Sequence, residues 1–144
     1  MTNSTARTVA TTLFDRLRSG ATPAELAEHY DEDVDWFIPG DTSLVPWIGR
    51  KTGRAGVAEF YTQLGQGTAV RRFEIDAIVG DGDRCVVLGS LRTEVLATGR
   101  DIETDFAFDI TVRDGLIVRY HMFEDTWAVA EALRAADGDR DVTR

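Results

Sequence analysis

Apolar residues recur at helical spacing over 6–17, where Val9, Leu13 and Leu17 line up with Ala10 and Phe14 beside them. Ser19-Gly20 ends that helix. Thr22-Pro23-Ala24-Glu25 then forms a capping box with proline at the first helical position, which opens a short helix to about Tyr30. Val34, Trp36 and Ile38 alternate with Asp35 and Phe37 and predict a strand that Pro39-Gly40 stops. Residues 39–53 read as a loop carrying Trp47, and Val57, Phe60, Tyr61 and Leu64 give a third helix over 54–64 its apolar stripe.

From residue 71 the period becomes two. Phe73, Ile75, Ala77 and Val79 predict one strand, 84–96 the next, and Thr104, Phe106, Phe108, Ile110 and Val112 a third. Val118, Tyr120 and Met122 lead along the last one to Glu124. The turns between them are Gly80-Asp81-Gly82-Asp83, Ala97-Thr98-Gly99-Arg100 and Asp114-Gly115. Asp125 or Thr126 caps a closing helix through Leu133, and 137–144 is a polar tail to a single domain over 1–136. Turns this short demand antiparallel neighbours. The predicted fold class is therefore α+β: a strongly curved, mostly antiparallel sheet wrapped over three N-terminal helices, with a pocket at the open end of the cone.

Composition narrows the function classes. The 144 residues carry a formal net charge of −9, which argues against nucleic acid, whose phosphates need a basic patch. No apolar run approaches the roughly 18 residues of a membrane span. The first residues carry no charged leader ahead of an apolar stretch, so the expected location is cytoplasmic. Cys85 is the sole cysteine, and two separated histidines, His29 and His121, offer no ligand spacing, so neither a metal nor another cofactor is expected.

Asp33-Val34-Asp35-Trp36, the stretch from Pro46 to Gly53, Asp114-Gly115-Leu116-Ile117 and Phe123-Glu124-Asp125-Thr126 resemble the SnoaL-like branch of the nuclear transport factor two-like superfamily over residues 5–136. That superfamily includes ketosteroid isomerase, limonene epoxide hydrolase, scytalone dehydratase and polyketide cyclases. The resemblance implies a cone, not one chemistry. Matching the segments puts the isomerase base on Ile38, its tyrosine on Phe14 and its oxyanion aspartate on Phe108, none of which moves a proton. The hydrolase set falls on Met122, Gly89, Leu91, Trp36 and Ile38, and it too is lost. The dehydratase depends on two histidines, whereas His29 lies on a helix and His121 has the opposite parity from Tyr120 and Met122.

Candidate chemistry therefore concentrates on Glu124, which shares parity with Tyr120 and Met122. Two readings stand: a desolvated acid–base group with Tyr120 as a donor, or a rim carboxylate next to the closing helix that is solvated or paired with an arginine. Phe14, Tyr30, Trp36, Ile38, Trp47 and Tyr61 are the expected ligand-binding residues, with Phe106, Phe108 and Met122 on the sheet. Trp47 is expected as a lid at the cone mouth. Val34, Phe73 and Leu91 complete the expected lining. His121, Arg92, Arg119, Asp105 and Asp109 read as a charged ladder on the outer sheet face, or as the interface of a homodimer. The partner expected inside is a small apolar molecule. Its fate is isomerisation, cyclisation or dehydration without a cofactor, or binding alone in a ligand-carrying or accessory domain.

Overall fold

The computed structural model describes residues 5–134, so the expected tail at 137–144 lies outside the described residues. Helix α1 (Ala6–Arg18) starts where the Thr5 hydroxyl accepts from the Thr8 N–H, and it buries Val9, Ala10, Leu13 and Phe14. Helix α2 (Pro23–Ala27) carries the capping box read from the sequence, with the Thr22 and Glu25 side chains each accepting from the other's backbone N–H. The helix is shorter than its pattern suggested, because the chain turns into strand β1 (Tyr30–Ile38) directly after it.

The expected loop over 39–53 contains a short strand, β2 (Gly49–Thr52), which pairs antiparallel with the end of β1. Helix α3 (Gly53–Gly67) leads into the four long strands β3 (Thr68–Asp81), β4 (Arg84–Val95), β5 (Asp101–Arg113) and β6 (Leu116–Glu124). Helix α4 (Thr126–Leu133) closes the fold. The sheet order is β2-β1-β6-β5-β4-β3, antiparallel except where β1 runs parallel to β6. The connection from β1 to β6 runs through β2, α3 and the strands β3–β5, which makes the long crossover that a parallel neighbour needs.

Two bulges in β3 change what its alternation means. The register slips between Val70 and Arg72 and again between Ile75 and Ala77. Each slip inserts one residue and flips the face that follows. Phe73 and Ile75 face inward as expected, but Ala77 and Val79 turn outward, and Ile78 packs against the core in their place. The strand bends over the helices as a result.

The outer face of the sheet carries the expected ladder in altered form. Asp109 accepts from Arg84 at 2.9 and 3.0 Å and from Arg119 at 3.3 Å, while Arg92 reaches Asp101 at 2.6 Å rather than Asp105 or Asp109. His121 lies here too, 3.0 Å from Asp35 and edge-on to Phe37, and is only 7% exposed. Its ring, followed by the Arg50 guanidinium, holds the Asp35 carboxyl below the ordinary aspartate range.

Candidate functional site

Beneath the sheet, aromatic rings fill the narrow part of the cone. Trp36 stacks on Tyr120 with centroids 4.4 Å apart and planes 15° apart, and Phe60 lies 4.7 Å from Trp36. Phe14 of α1 bridges to the sheet through Phe108 at 5.2 Å and Phe73 at 5.7 Å. Above these rings the cone stays open as a cavity of about 480 Å³. That volume lies within the range of small-molecule sites, roughly 300–1,000 Å³.

Ten of the residues expected at the site lie on the cavity wall. Phe14, Ile38, Trp47 and Tyr61 come from the helical side and the first strand, Phe73 and Leu91 from β3 and β4, and Phe108, Tyr120, Met122 and Glu124 from β5 and β6. Three others do not. Tyr30 and Trp36 are fully buried behind Tyr120, and Phe106 stacks on Phe73 with ring centroids 5.0 Å apart and planes inclined by 14°. They pack as a layer of rings behind the cavity wall, because alternation assigns a side chain to a face but not to a depth. Val34 also lies in the core rather than on the cavity wall. Trp47 is wall rather than lid: it is 6% exposed, and its six-membered ring lies against Gly67 at the end of α3.

Several cavity-lining residues were not singled out from the sequence for that role. Phe60 and Leu64 carried a signal, since they belong to the apolar stripe of α3, and Val129 sits on α4. Leu17, Arg18, Val70, Arg71 and Arg72 also border the cavity, from the end of α1 and the bulged start of β3. No pattern within either segment indicates that they do.

Glu124 is the last residue of β6, opposite Phe106 in register. Its position is fixed from the C-terminal side. The Asp125 N–H donates to the Thr104 hydroxyl at 3.0 Å, and the Asp125 carboxylate caps α4 by accepting from the Ala128 N–H at 3.0 Å. Among the described residues no hydrogen bond or ion pair reaches the Glu124 carboxylate, so the rim ion pair with an arginine is absent there. Burial, reinforced by the neighbouring negative charge of Asp125, pushes its pKa up to about 7. The variant Asp125→Asn retains a capping side chain and removes that like charge. It is expected to lower the Glu124 midpoint, as read by NMR titration of the labelled carboxyl carbon. An unmoved midpoint would assign the whole displacement to burial.

The phenols beside it remain protonated. The Tyr30 and Tyr61 hydroxyls are 2.7 Å apart, and Tyr120 interacts with both. Burial raises all three above the ordinary phenol value, with Tyr61 pushed up to about 12. The site therefore joins one carboxyl that exchanges protons near neutrality to phenols that donate hydrogen bonds without ionising. Among the described residues no group of three or more His, Cys, Asp or Glu is placed to hold a metal ion. No helix there is long and apolar enough to cross a membrane.

A curved sheet over helices, open at one end onto an apolar cavity with a single carboxyl, defines a cone-fold protein of the nuclear transport factor two-like type. The chain belongs to the SnoaL-like domain family, whose model matches residues 10–120, and its fold is related to those of polyketide cyclases and isomerases. An NTF2-like protein from Burkholderia xenovorans LB400 shares 26% identity over 91% of this chain and 99% of its own, with a TM-score of 0.79. TerC, co-crystallised with polyporic acid, shares 26% identity over 88% of this chain and 95% of its own, at a TM-score of 0.73. A protein of ketosteroid isomerase-like fold from Catenulispora acidiphila DSM 44928, in complex with trimethylamine, shares 13% identity over 85% and 89% of the two chains. Its TM-score of 0.68 establishes the shared fold alone. No curated protein matches the sequence.

Proposed function

We propose that this protein binds a small apolar, aromatic or polycyclic metabolite in its cone and moves a proton on it without a cofactor, as an isomerase, cyclase or dehydratase. Glu124 is the acid–base group and Tyr120 the hydrogen-bond donor. The observation that carries this reading is a carboxyl on the cavity wall that no described residue pairs with, its pKa raised to about 7 by burial.

A carboxyl of that pKa is about half ionised at neutral pH, so it both accepts and returns a proton at useful rates. In an isomerisation or cyclisation, Glu124 takes the proton from carbon next to a ketone. The negative charge develops on the ketone oxygen, where the Tyr120 phenol supports it, and Glu124 returns the proton at the new position. Trp47 and Phe108 offer aromatic surface for a flat ring system. The co-crystal of TerC with polyporic acid supports an aromatic ligand in a cone of this shape.

The test is hydrogen–deuterium exchange in D2O, followed by NMR, at carbons adjacent to the carbonyls of polycyclic ketones and polyketide-type diketones. Polyporic acid serves as a separate binding probe. The wild type is expected to accelerate exchange on at least one panel member, and Glu124→Gln to lose that acceleration while binding the same compound. Exchange retained by the variant removes Glu124 from the chemistry. Binding with no exchange in either protein leaves the binding-only alternative.

A further inference from the structure

Thr68, Thr93, Thr104 and His121 are buried polar residues, and all but one of them have hydrogen bonds. The Thr68 hydroxyl donates to the Leu64 carbonyl at 2.6 Å. The Thr104 hydroxyl donates to the Asp105 carbonyl at 2.7 Å and accepts from the Asp125 N–H. His121 is paired with Asp35. Thr93 differs: among the described residues no hydrogen bond reaches its hydroxyl, although the residue is only 9% exposed. Buried hydroxyls are ordinarily paired, because an unpaired one gives up its hydration for nothing. Valine has nearly the same shape, suits a strand as well, and stands at Val87 and Val95 on the same face of β4. Packing alone therefore gives no reason for a hydroxyl at position 93.

The cavity gives one, since Thr93 lines it. Its partners in register are Val70 on β3 and Ile102 on β5, and Leu91 precedes it on the inner face of β4. Val70, Leu91 and Ile102 line the cavity too, so the hydroxyl is a polar point in an apolar stretch of wall. Glu124 and Tyr120 occupy another part of that wall. Glu124 pairs with Phe106 of β5, and Thr93 with Ile102 of the same strand, which separates them by about 13 Å along the strand direction. A ligand that presents only apolar surface to Thr93 removes water from its hydroxyl and leaves it without a partner. A ligand with an oxygen at that point restores the hydrogen bond and is favoured over the first.

We infer that Thr93 is a ligand-binding residue that selects and orients the molecule in the cone. That molecule is an elongated, mostly apolar ring ketone. Its carbonyl end meets Tyr120 and Glu124, and its far end carries a hydroxyl or a second carbonyl oxygen that Thr93 binds. The inference rests on the reading that a small molecule occupies the cone, and it adds the second oxygen and the direction in which the molecule lies. A threonine hydroxyl both donates and accepts, so either oxygen function satisfies it.

Two ring ketones isolate the second oxygen: 4-phenylcyclohexanone, and 4-(4-hydroxyphenyl)cyclohexanone, which adds a hydroxyl at the end opposite the ketone. Each is titrated by calorimetry into the wild type, Thr93→Val and Thr93→Ser. The wild type is expected to bind the hydroxylated compound about tenfold more tightly than the other. Thr93→Val is expected to lose that preference, binding the hydroxylated compound about tenfold more weakly and 4-phenylcyclohexanone within about twofold of the wild type. Thr93→Ser keeps the hydroxyl and is expected to keep the preference. Without ligand, Thr93→Val is expected to melt no lower than the wild type, because no described group loses a partner. A fall of several degrees would assign the hydroxyl to the fold and overturn the inference. A preference unchanged in Thr93→Val, or equal losses for both compounds, would overturn it while leaving an occupied cavity. If neither compound binds the wild type, the cone does not take a ring ketone, and the reading on which the inference rests fails with it.

Discussion

Glu124→Gln is expected to make the protein more stable at pH 8, by up to about 3 kcal/mol, while abolishing its proton-transfer activity. In the unfolded chain the Glu124 carboxyl titrates near its ordinary value of 4.5, and in the folded protein near 7. Between those values the folded state keeps a proton that the unfolded state has released, so stability falls as pH rises through that window. Above about pH 7 the ionised carboxylate sits in a poorly solvated site and its full cost is present. Glutamine has nearly the shape of the protonated acid and never ionises. The gain should therefore be large at pH 8 and less than about 1 kcal/mol at pH 5. Urea unfolding of both proteins at the two pH values measures it. The same increment at both pH values would mean that packing, not ionisation, is responsible. No increment at pH 8 would mean that the carboxylate is solvated or paired there. Loss of exchange activity, by about 10²-fold or more, accompanies the gain if the carboxyl is the proton carrier. A rise in stability tied to a loss of activity is the signature of a group kept in an unfavourable place for chemistry.

The part of this site that the sequence made legible is the part that depends on strand period. Alternation in β5 and β6 puts Phe108, Tyr120, Met122 and Glu124 on one face and His121 with Asp109 on the other, and the structure has them so. The period fails where a bulge resets it. Ala77 and Val79 follow the extra residue at Asp76 and so face outward, although they continue the run begun by Phe73. Strand β2 left no pattern because Gly49–Thr52 is a short edge segment, ordered by its pairing with β1 rather than by its own residues. Depth was also illegible: Trp36 and Tyr30 have the inward parity expected of pocket residues, but Tyr120 and Tyr61 stand between them and the cavity. The raised Glu124 pKa requires a desolvated surrounding, which comes from α4, β5 and the cavity wall together. The cavity wall also joins the end of α1 to a bulged strand more than fifty residues later, a meeting that exists only in the folded chain.

Gly89→Ala is expected to destabilise the fold by about 3 kcal/mol, at the upper end of the usual cost of overpacking a core. Gly89 is buried on the inner face of β4, opposite Phe106 on one side and Ile75 on the other. A methyl group there would come 2.6 Å from the Phe106 ring and closer still to the Glu74 backbone carbonyl at the second β3 bulge. Neither neighbour yields easily. Phe106 is stacked on Phe73 and tilted against Phe108, and the carbonyl belongs to the sheet backbone. Urea unfolding is expected to show the loss. Adding Phe106→Leu should recover part of it, a non-additivity expected when two side chains compete for one space. A loss under about 1 kcal/mol would mean that β3 does not bend this closely over β4. The same crowding bears on the chemistry, because Gly89 is where the resemblance to limonene epoxide hydrolase places an arginine. A long polar side chain cannot enter beneath Phe106 without displacing the rings around it. With that wall closed to polar groups, Glu124 at the end of β6, directly across from Phe106, is where a carboxyl can reach the cavity without breaking the aromatic packing.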